Sequence, residues 1–429
     1  MMRYAVISKG LSLDQVEREC LNRGASNVKR AQALGQVFCE MSPEAAERLA
    51  QLPGLAVKEL KKVKAGQVAI VPRVTADYAP QAEAVPLSDL FNTLRAAMAP
   101  PLTGAGFTVA VLDSGIRKTH ELLRDKVIYE NNFTDSETTD DVFGHGTGVA
   151  GLIAGGSQGD PHAGMAPGAL LMNIKVLNDD GEGSEEDVVM GIEEVVELVE
   201  KAQSEMLWLT DPMYPNAINM SFGGEDDGDP DNPVRVACRE AASKFGLGLA
   251  AAAGNNGPQP TTITSPACDP AVVAVGAIVQ PALGAGQPFE IWENSSRGPT
   301  EEGVTKPDLV FWGVNTEVAS HKADDKYEIK SGTSFACPAF VGATGALWEA
   351  ARRILGEDYW IGPDQIEPII PQLCGKPEGA PTVKGNTYGY GLPLPEILIG
   401  LIQQRVSPMA GMTEIVAVGM MAMMIGAMF

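Results

Sequence analysis

The sequence predicts an α/β protein in which a mainly parallel sheet is flanked by helices and preceded by a small βαββαβ unit. Two observations lead to this prediction. From about residue 102 to 400, apolar runs typical of buried strands alternate with longer stretches typical of helices. Residues 3–65 carry a shorter succession of strand and helix signals, and a stretch rich in proline and alanine follows them.

The composition indicates a globular protein and excludes some classes of function. The chain has 429 residues, enough for one large domain and an accessory one, with 45% hydrophobic and 20% charged residues. Its net charge of −23 argues against nucleic-acid binding, which needs a basic surface, and predicts repulsion from anionic lipid. The N-terminus lacks the apolar run of a signal peptide, so we expect a cytoplasmic protein.

The cysteines are scattered along the chain without the spacing of a metal site or the framework of a disulfide-rich scaffold. We therefore expect buried free thiols, which suit a reducing compartment. The six residues are Cys20, Cys39, Cys238, Cys268, Cys337 and Cys374.

The first unit, residues 1–65, has helices with recognisable caps. Ser12 begins one helix with a capping box, and Ser42 followed by Pro43 begins another. The predicted elements are a strand at Tyr4–Ser8, a helix from Ser12 to Gly24, strands at Asn27–Leu34 and Gln36–Met41, a helix from Ser42 to Pro53, and a strand at Leu55–Val63. This order is that of a ferredoxin-like fold. Residues 66–100 follow as a predicted linker with one short helix near Leu87–Met98.

A serine in the second half of the chain has the surroundings of a nucleophile. Ser334 lies among small residues, and the apolar run 339–348 after it is typical of a buried helix. At a helix N-terminus, unpaired N–H groups and the helix dipole favour a developing negative charge. A hydroxyl there is a useful nucleophile only if a base can take its proton.

Three other stretches provide a base, a group to orient it and an oxyanion donor. An apolar strand ends on Asp113, His145 begins an apolar helix among glycines, and a second apolar strand ends on Asn255. We expect these groups to converge with Ser334 at the rim of one sheet. A histidine with an ordinary pKa near ~6.5 can accept the serine proton and return it to a leaving amine. A carboxylate orients the imidazole, and a side-chain amide stabilises the oxyanion.

In the chain order Asp, His, Asn, Ser, these stretches closely resemble the subtilisin-like serine peptidases. The resemblance covers nearly all of residues 1–400. It implies a catalytic domain at 101–400, an inhibitory propeptide-like domain at 1–65 and an activation site in 66–100. The implied activity is peptide hydrolysis through an acyl-enzyme on Ser334 by an enzyme made as a self-inhibited zymogen. The implied partners are a protein or peptide substrate and the chain's own propeptide as inhibitor.

The resemblance also implies where a substrate lies. The chain near Gly181–Ser184 would form one wall of a cleft, and the strand Ala217–Gly224 would form the other. An extended substrate pairs with both edges as an added strand, and glycines leave room for its backbone. The implied substrate-binding residues are Gly181, Gly183, Ser221, Gly223 and Gly254.

Two acidic loops, Asn178–Asp187 and Glu225–Asp231, have two interpretations. Subtilisin-like peptidases commonly bind calcium, and calcium prefers oxygen ligands on flexible loops. Neither loop has the EF-hand spacing, so a solvated acidic loop is the alternative. No cofactor is required for the chemistry itself. Because the first loop borders the cleft, we expect a preference for basic residues on the N-terminal side of the cleaved bond.

The C-terminal segment 401–429 does not resemble the family. Its uncharged, methionine-rich run Ile415–Phe429 is shorter than the ~17–25 residues that span a bilayer. It would dock on the enzyme itself, on a partner protein or at a membrane. Two rival functions remain: a maturation protease directed to one partner by this tail, and a peptide-binding relative without catalysis.

Overall fold

The computed structural model describes residues 1–65, 101–207, 210–279, 289–355, 374–377 and 380–393. The predicted linker helix at Leu87–Met98, the activation site in 66–100 and the tail segment Ile415–Phe429 lie outside the described residues. The N-terminal domain is residues 1–65, and the described residues from 101 onward form the larger domain.

The N-terminal domain is a four-stranded antiparallel sheet covered by two helices. Its strand order is β2-β3-β1-β4, the ferredoxin-like arrangement that the element order predicts. The elements are β1 (Met2–Ser8), α1 (Leu13–Asn22), β2 (Ser26–Ala31), β3 (Gln36–Met41), α2 (Pro43–Ala50) and β4 (Leu55–Glu59). Ser12 caps α1 with the predicted capping box, and Ser42 accepts the Ala45 N–H at the start of α2.

The strand predicted at Leu55–Val63 is in fact two strands with different partners. Strand β4 pairs with β1, and the Leu60 N–H donates the last hydrogen bond to this sheet at Arg3 O. The chain then crosses to the larger domain, where β5 (Lys62–Ala65) continues. At the break, Lys61 and Lys62 are both exposed, which interrupts the alternation, but the sequence does not show that the chain changes its partner strand there.

The larger domain is built on an eight-stranded sheet in which β14 alone runs antiparallel to its neighbour. The main path is β14-β13-β12-β10-β6-β8-β7, and β15 pairs with β13. The strands are β6 (Thr108–Asp113), β7 (Val127–Asn132), β8 (Leu170–Lys175), β10 (Ala217–Met220), β12 (Gly248–Ala252), β13 (Val273–Val279), β14 (Glu290–Ile291) and β15 (Leu309–Trp312).

Helices cover both faces of this sheet and make two cores. In β6, Val109 and Val111 face one core while Ala110 and Leu112 face the other. Helices α3 (Gly146–Ala154) and α6 (Thr333–Leu355) pack in the first core, and α4 (Glu185–Ser204) and α5 (Pro233–Phe245) pack in the second. The predicted class, a mainly parallel sheet flanked by helices, is therefore confirmed.

Short strands complete the described elements. They are β9 (Glu182–Ser184), β11 (Phe222–Gly223), β16 (Thr316–Ala319), β17 (Tyr327–Lys330), β18 (Cys374–Gly375) and β19 (Leu392–Pro393). All six cysteines are free thiols; five are buried and Cys374 is half-buried. Within the described ranges, none of the helices has the length and apolarity needed to cross a bilayer.

Candidate active site

The first two predicted site residues meet at the carboxyl end of the sheet. Asp113 is the last residue of β6, and His145 immediately precedes α3. The His145 Nδ1 atom lies 2.8 Å from Asp113 Oδ1 and 3.0 Å from Oδ2, and both side chains are buried. Because Nδ1 faces the carboxylate, Nε2 at the other side of the ring faces away from it.

A buried carboxylate that the sequence reasoning missed holds the loops carrying these two residues. Asp141 Oδ1 accepts hydrogen bonds from Ser114 Oγ (2.9 Å) and the Gly144 N–H (2.7 Å), and Oδ2 accepts the Thr147 N–H (2.8 Å). Ser114 Oγ in turn accepts the Gly146 N–H at 3.0 Å. Asp141 thus joins the residue after Asp113 to the residues around His145. In the sequence it is one of many acidic loop residues, and nothing marks it.

The close approach of the two loops explains a glycine beside His145. A Cβ atom on Gly146 would lie 2.2 Å from Gly115 O and 3.1 Å from Asp113 Cβ. Contacts below about 3 Å are not tolerated there because the nearest atom belongs to the backbone. The glycine lets the imidazole reach the carboxylate.

Ser334 is the second residue of α6, so it lies at a helix N-terminus as the sequence predicts. Its neighbour Phe335 packs against His145, with 5.6 Å between the ring centroids. Ser334 Oγ and His145 Nε2 are both buried, and neither has a hydrogen-bond partner among the described residues. Buried polar atoms are normally satisfied, so two such atoms on these residues need an explanation. In free enzymes a nucleophile and its base often lie beyond hydrogen-bond distance and approach each other when substrate binds.

Asn255 follows β12 at the same edge of the sheet and is held by the residue before the serine. Its Oδ1 accepts the Thr333 N–H at 2.9 Å and the Thr333 hydroxyl at 2.8 Å. The Thr333 hydroxyl oxygen also accepts the Gly254 N–H at 3.2 Å. These bonds fix the amide plane, so its Nδ2 group projects away from Thr333. A Cβ at Gly332 would lie 3.4 Å from Nδ2.

A cavity of about 470 Å³ opens beside these groups. Ser334, Asn255 and the predicted substrate-binding residues Gly223 and Gly254 line it. Ser221 does not line it: its side chain is buried, and its Oγ accepts a hydrogen bond from Asn219 Nδ2 at 3.0 Å.

The predicted cleft walls lie on either side of a strand from the chain itself. Strand β5 pairs antiparallel with β9 on one side and with β11 on the other. Val63 pairs with Gly183, and Ala65 pairs with Phe222 and donates its N–H to Gly181 O at 2.9 Å. A Cβ on Gly183 would lie 2.2 Å from Val176 O, so this wall tolerates no side chain there. Ala65, the last described residue of β5, lines the same cavity as Ser334.

The two acidic loops bind basic side chains of the N-terminal domain. Seven lysine and arginine side chains of that domain pair with five carboxylates of the larger one. These pairs join Arg3 and Lys29 to Glu186, Lys9 to Asp231, Lys58 to Asp229, Lys61 to Asp227, and Lys62 and Lys64 to Glu182. These carboxylates are therefore paired, but apart from Glu186 they remain 27–36% exposed, so the loops are still solvated.

The calcium interpretation gains no support from the same residues. Within the described part of the chain, no group of three or more His, Cys, Asp or Glu side chains is arranged to hold a metal ion. The acidic residues of Asn178–Asp187 are directed elsewhere: Asp179 pairs with Lys175, and Asp187 caps α4 through Ser184.

Buried carboxylates on α4 also hold the backbone of the N-terminal domain. Glu193 accepts the Ala33 N–H at 2.7 Å and the Leu34 N–H at 3.0 Å, and Glu185 accepts the Lys61 N–H at 2.8 Å. Burial raises the pKa of Glu193, and the two N–H groups oppose that rise. For Glu186, burial would raise the pKa, but Arg3 and Lys29 outweigh it and lower the pKa below its ordinary value.

His120, which follows Asp113 closely in the sequence, is not part of the site. It is fully buried, and its Nε2 lies 2.9 Å from Lys326 O. Its ring packs edge-on against Tyr327. These contacts give His120 a role in packing.

Comparisons with known proteins agree on one family. The profile of the subtilase family of peptidases matches residues 104–385. Serine protease AprX of Bacillus subtilis is 32% identical over 308 residues, which are 68% of this chain and 65% of AprX. The intracellular serine protease of Paenibacillus polymyxa is 29% identical over 71% of this chain and 85% of its own. The solved S41 psychrophilic protease has a TM-score of 0.56 and 26% identity, covering 73% of this chain and 99% of its own.

Proposed function

Because the chain belongs to the subtilase family, we propose that it is a serine endopeptidase with Asp113, His145 and Ser334 as its catalytic triad. The observation that carries this proposal is the pairing of His145 Nδ1 with Asp113, while His145 Nε2 and Ser334 Oγ are buried and have no partner in the part of the chain that the structure describes. The pairing with Asp113 orients His145 as a base. The Nε2 atom of His145 is then available as a proton acceptor and Ser334 Oγ as a nucleophile, and substrate binding would bring the two atoms together.

The reaction follows from this geometry. Ser334 Oγ attacks the peptide carbonyl carbon as His145 Nε2 takes its proton, and Asp113 stabilises the imidazolium that forms. The carbonyl oxygen becomes an oxyanion, which accepts hydrogen bonds from Asn255 Nδ2 and from the Ser334 N–H at the start of α6. Collapse expels the amine, which receives the proton from His145. Water then attacks the acyl-enzyme by the same route and releases the acid. No step requires a cofactor.

A fluorophosphonate probe tests this proposal against the rival function of a peptide-binding relative without catalysis. The probe phosphonylates an activated serine, so the wild-type protein should be labelled and Ser334→Ala should not. Equal labelling of both, or of neither under conditions that label another serine peptidase, would contradict the assignment.

We propose further that the protein is made as a self-inhibited zymogen, with cleavage within 66–100 releasing the N-terminal domain. Support comes from β5, which occupies the cleft between β9 and β11 as a substrate would. The ion pairs hold the domain against the two acidic loops and the start of α4, and Glu193 and Glu185 bind its backbone to α4. An intracellular location agrees with the free cysteines and with the similarity to the intracellular serine protease of Paenibacillus polymyxa.

Glu193→Gln is expected to shorten the lag before activity appears in freshly prepared protein. An amide of the same size can accept one of the two N–H bonds from Ala33 and Leu34 but sets its NH₂ group against the other. Losing one charge-assisted bond and leaving one buried donor unpaired costs about 2–3 kcal/mol of docking free energy. The time course of peptide hydrolysis measures the lag.

The matched control is Glu200→Gln, on the exposed surface of the same helix. It should leave the lag unchanged, because it removes the same charge without touching the N-terminal domain. If the lag in Glu193→Gln were as long as in wild type, the proposed inhibitory contact would be contradicted.

Thr264 is expected to limit the size of the substrate side chain next to the cleaved bond. Its Oγ1 would lie 2.5 Å from a Cβ on Gly223, and its Cγ2 would lie 2.8 Å from a Cβ on Gly254. The side chain thus fills the gap between two cavity walls beside Ser334 and Asn255. Thr264→Gly should raise kcat/KM for phenylalanine over alanine at this position by about tenfold, because a pocket gains roughly that for each methylene it accommodates.

Thr264→Ser is the intermediate control, since it keeps Oγ1 and loses the methyl group. We expect a smaller shift in the same direction, measured with paired peptide substrates that differ at this residue. An unchanged ratio in Thr264→Gly would show that this side chain does not bound the pocket.

A further inference from the structure

The strand in the cleft presents two kinds of side chain to its surroundings. In β5, Val63 and Ala65 are buried, whereas Lys62 and Lys64 face outward and are exposed. Such alternation is a property of any strand. Every extended peptide that replaces β5 must therefore present every second side chain on the side where Lys62 and Lys64 lie.

One carboxylate of the cleft wall binds both lysines. Glu182, in β9, lies opposite Lys64 in the register. Its Oε1 lies 2.6 Å from Lys64 Nζ, and its Oε2 lies 3.1 Å from Lys62 Nζ. Each oxygen thus serves a different position of the strand, and the two positions are separated by one residue.

Two hydrogen bonds with Asn178 hold the backbone of Glu182 in place, which fixes the position of its Cα and Cβ atoms. Its carbonyl accepts the Asn178 N–H at 2.8 Å, and its N–H donates to Asn178 Oδ1 at 3.1 Å. Hydrogen bonds from Lys64, and to a smaller extent from Lys62, lower the pKa of the Glu182 carboxyl below its ordinary value, so this group is ionised at neutral pH. Lys61, the residue before β5, pairs with Asp227 instead and is not part of this arrangement.

We propose that Glu182 is a specificity residue of the peptidase, selecting lysine or arginine at the two substrate positions that Lys62 and Lys64 occupy in the structure. This inference rests on the proposed function, since it assigns a preference to that same cleft. When the N-terminal domain leaves, the carboxylate loses both cations. A substrate with a basic residue at either position restores one pair, and a substrate with acidic residues there meets repulsion.

The size of the preference follows from exposure. Glu182 and both lysines are partly or largely exposed, and ion pairs of this kind are individually weak. We expect about a threefold gain in kcat/KM per basic residue. The two gains should multiply to about tenfold, because separate oxygens make the two pairs. Screening by salt should reduce both gains together.

The test profiles cleavage of a proteome-derived peptide library by enzyme expressed as the full chain and allowed to process itself. Three forms are compared: wild type, Glu182→Gln and Asp180→Asn. Asp180 is an exposed residue of the same loop for which no ion pair to the N-terminal domain is seen in the described residues. Its variant removes the same charge two residues away, so it controls for a general effect of the loop's charge.

For wild type and Asp180→Asn we expect enrichment of lysine and arginine at two positions N-terminal to the cleaved bond, separated by one residue. In Glu182→Gln this enrichment should disappear, while peptides without a basic residue at either position should still be cleaved. Equal profiles for wild type and Glu182→Gln would overturn the inference and leave the peptidase assignment intact. Absence of cleavage by all three forms, with no fluorophosphonate labelling, would overturn both.

Discussion

Replacing Ser334 by alanine is expected to lower kcat for peptide hydrolysis by about 10⁶-fold. Removing the nucleophile of the Ser-His-Asp unit in subtilisin, a member of the same family, has an effect of this size. Ser334 is buried at the start of α6, and its Oγ makes no hydrogen bond that stabilises the fold. The substitution should therefore remove the chemistry and change the free energy of unfolding of the unprocessed chain by only about 0.5 kcal/mol.

The matched control is Cys337→Ala, which removes the other potential nucleophile of the same helix. Cys337 is buried and its Sγ donates to Asn219 Oδ1 at 3.3 Å. Burial raises the pKa of this thiol above its ordinary value, so it is not a thiolate at neutral pH. We expect the Cys337 variant to keep most of its activity. If it lost activity as Ser334→Ala does, the assignment of the nucleophile would be wrong.

Hydrolysis is measured with a small peptide substrate, and the N-terminal domain gives a second readout. Because processing depends on the same chemistry, Ser334→Ala should retain an intact chain on a denaturing gel. Wild type should show a fragment ending within 66–100. A processed Ser334→Ala chain, prepared free of other peptidases, would contradict self-cleavage.

The sequence predicts those features of this protein that depend on local chemistry. Ser12 and Ser42 cap their helices because a short polar side chain satisfies N–H groups at that point whatever the rest of the fold does. The continuous apolar run of β6 predicts a strand buried on both faces, and its residues divide between two cores. Asp113 and His145 could be placed together because one ends a buried strand and the other begins an apolar helix, in the chain order that resembles subtilisin-like peptidases.

Features that depend on a distant partner could not be predicted in the same way. At the break between β4 and β5, two exposed lysines, Lys61 and Lys62, interrupt the alternation, but only the two different neighbouring strands show the change of partner. The acidic loops are typical of solvated or calcium-binding segments when considered alone. Their carboxylates contact lysines that lie more than a hundred residues away in the sequence, as Glu182 and Lys62 illustrate. Asp141 was missed because its three donors depend on the path of the backbone.

Asp113→Asn is expected to lower kcat by about 10⁴-fold, the size that the same substitution has in another Ser-His-Asp peptidase. The structure gives the reason. Asp113 Oδ1 accepts the Ser114 N–H at 2.7 Å and lies 2.8 Å from His145 Nδ1, and Oδ2 lies 3.0 Å from the same ring nitrogen. An asparagine would keep its carbonyl oxygen toward Ser114 and direct its NH₂ group at Nδ1. The imidazole would then carry its proton on Nε2, the nitrogen that must accept a proton from Ser334.

The control for this variant is Asp140→Asn, at an exposed position between Asp113 and His145 in the sequence. It should change kcat by less than about twofold, because it does not affect which nitrogen of His145 carries the proton. Steady-state kinetics at several pH values should show the loss in kcat with little change in KM, since Asp113 does not contact the substrate. Fluorophosphonate labelling should slow by a similar factor because it needs the same proton transfer. A loss below tenfold, or a loss confined to KM, would show that His145 does not depend on Asp113 for its orientation.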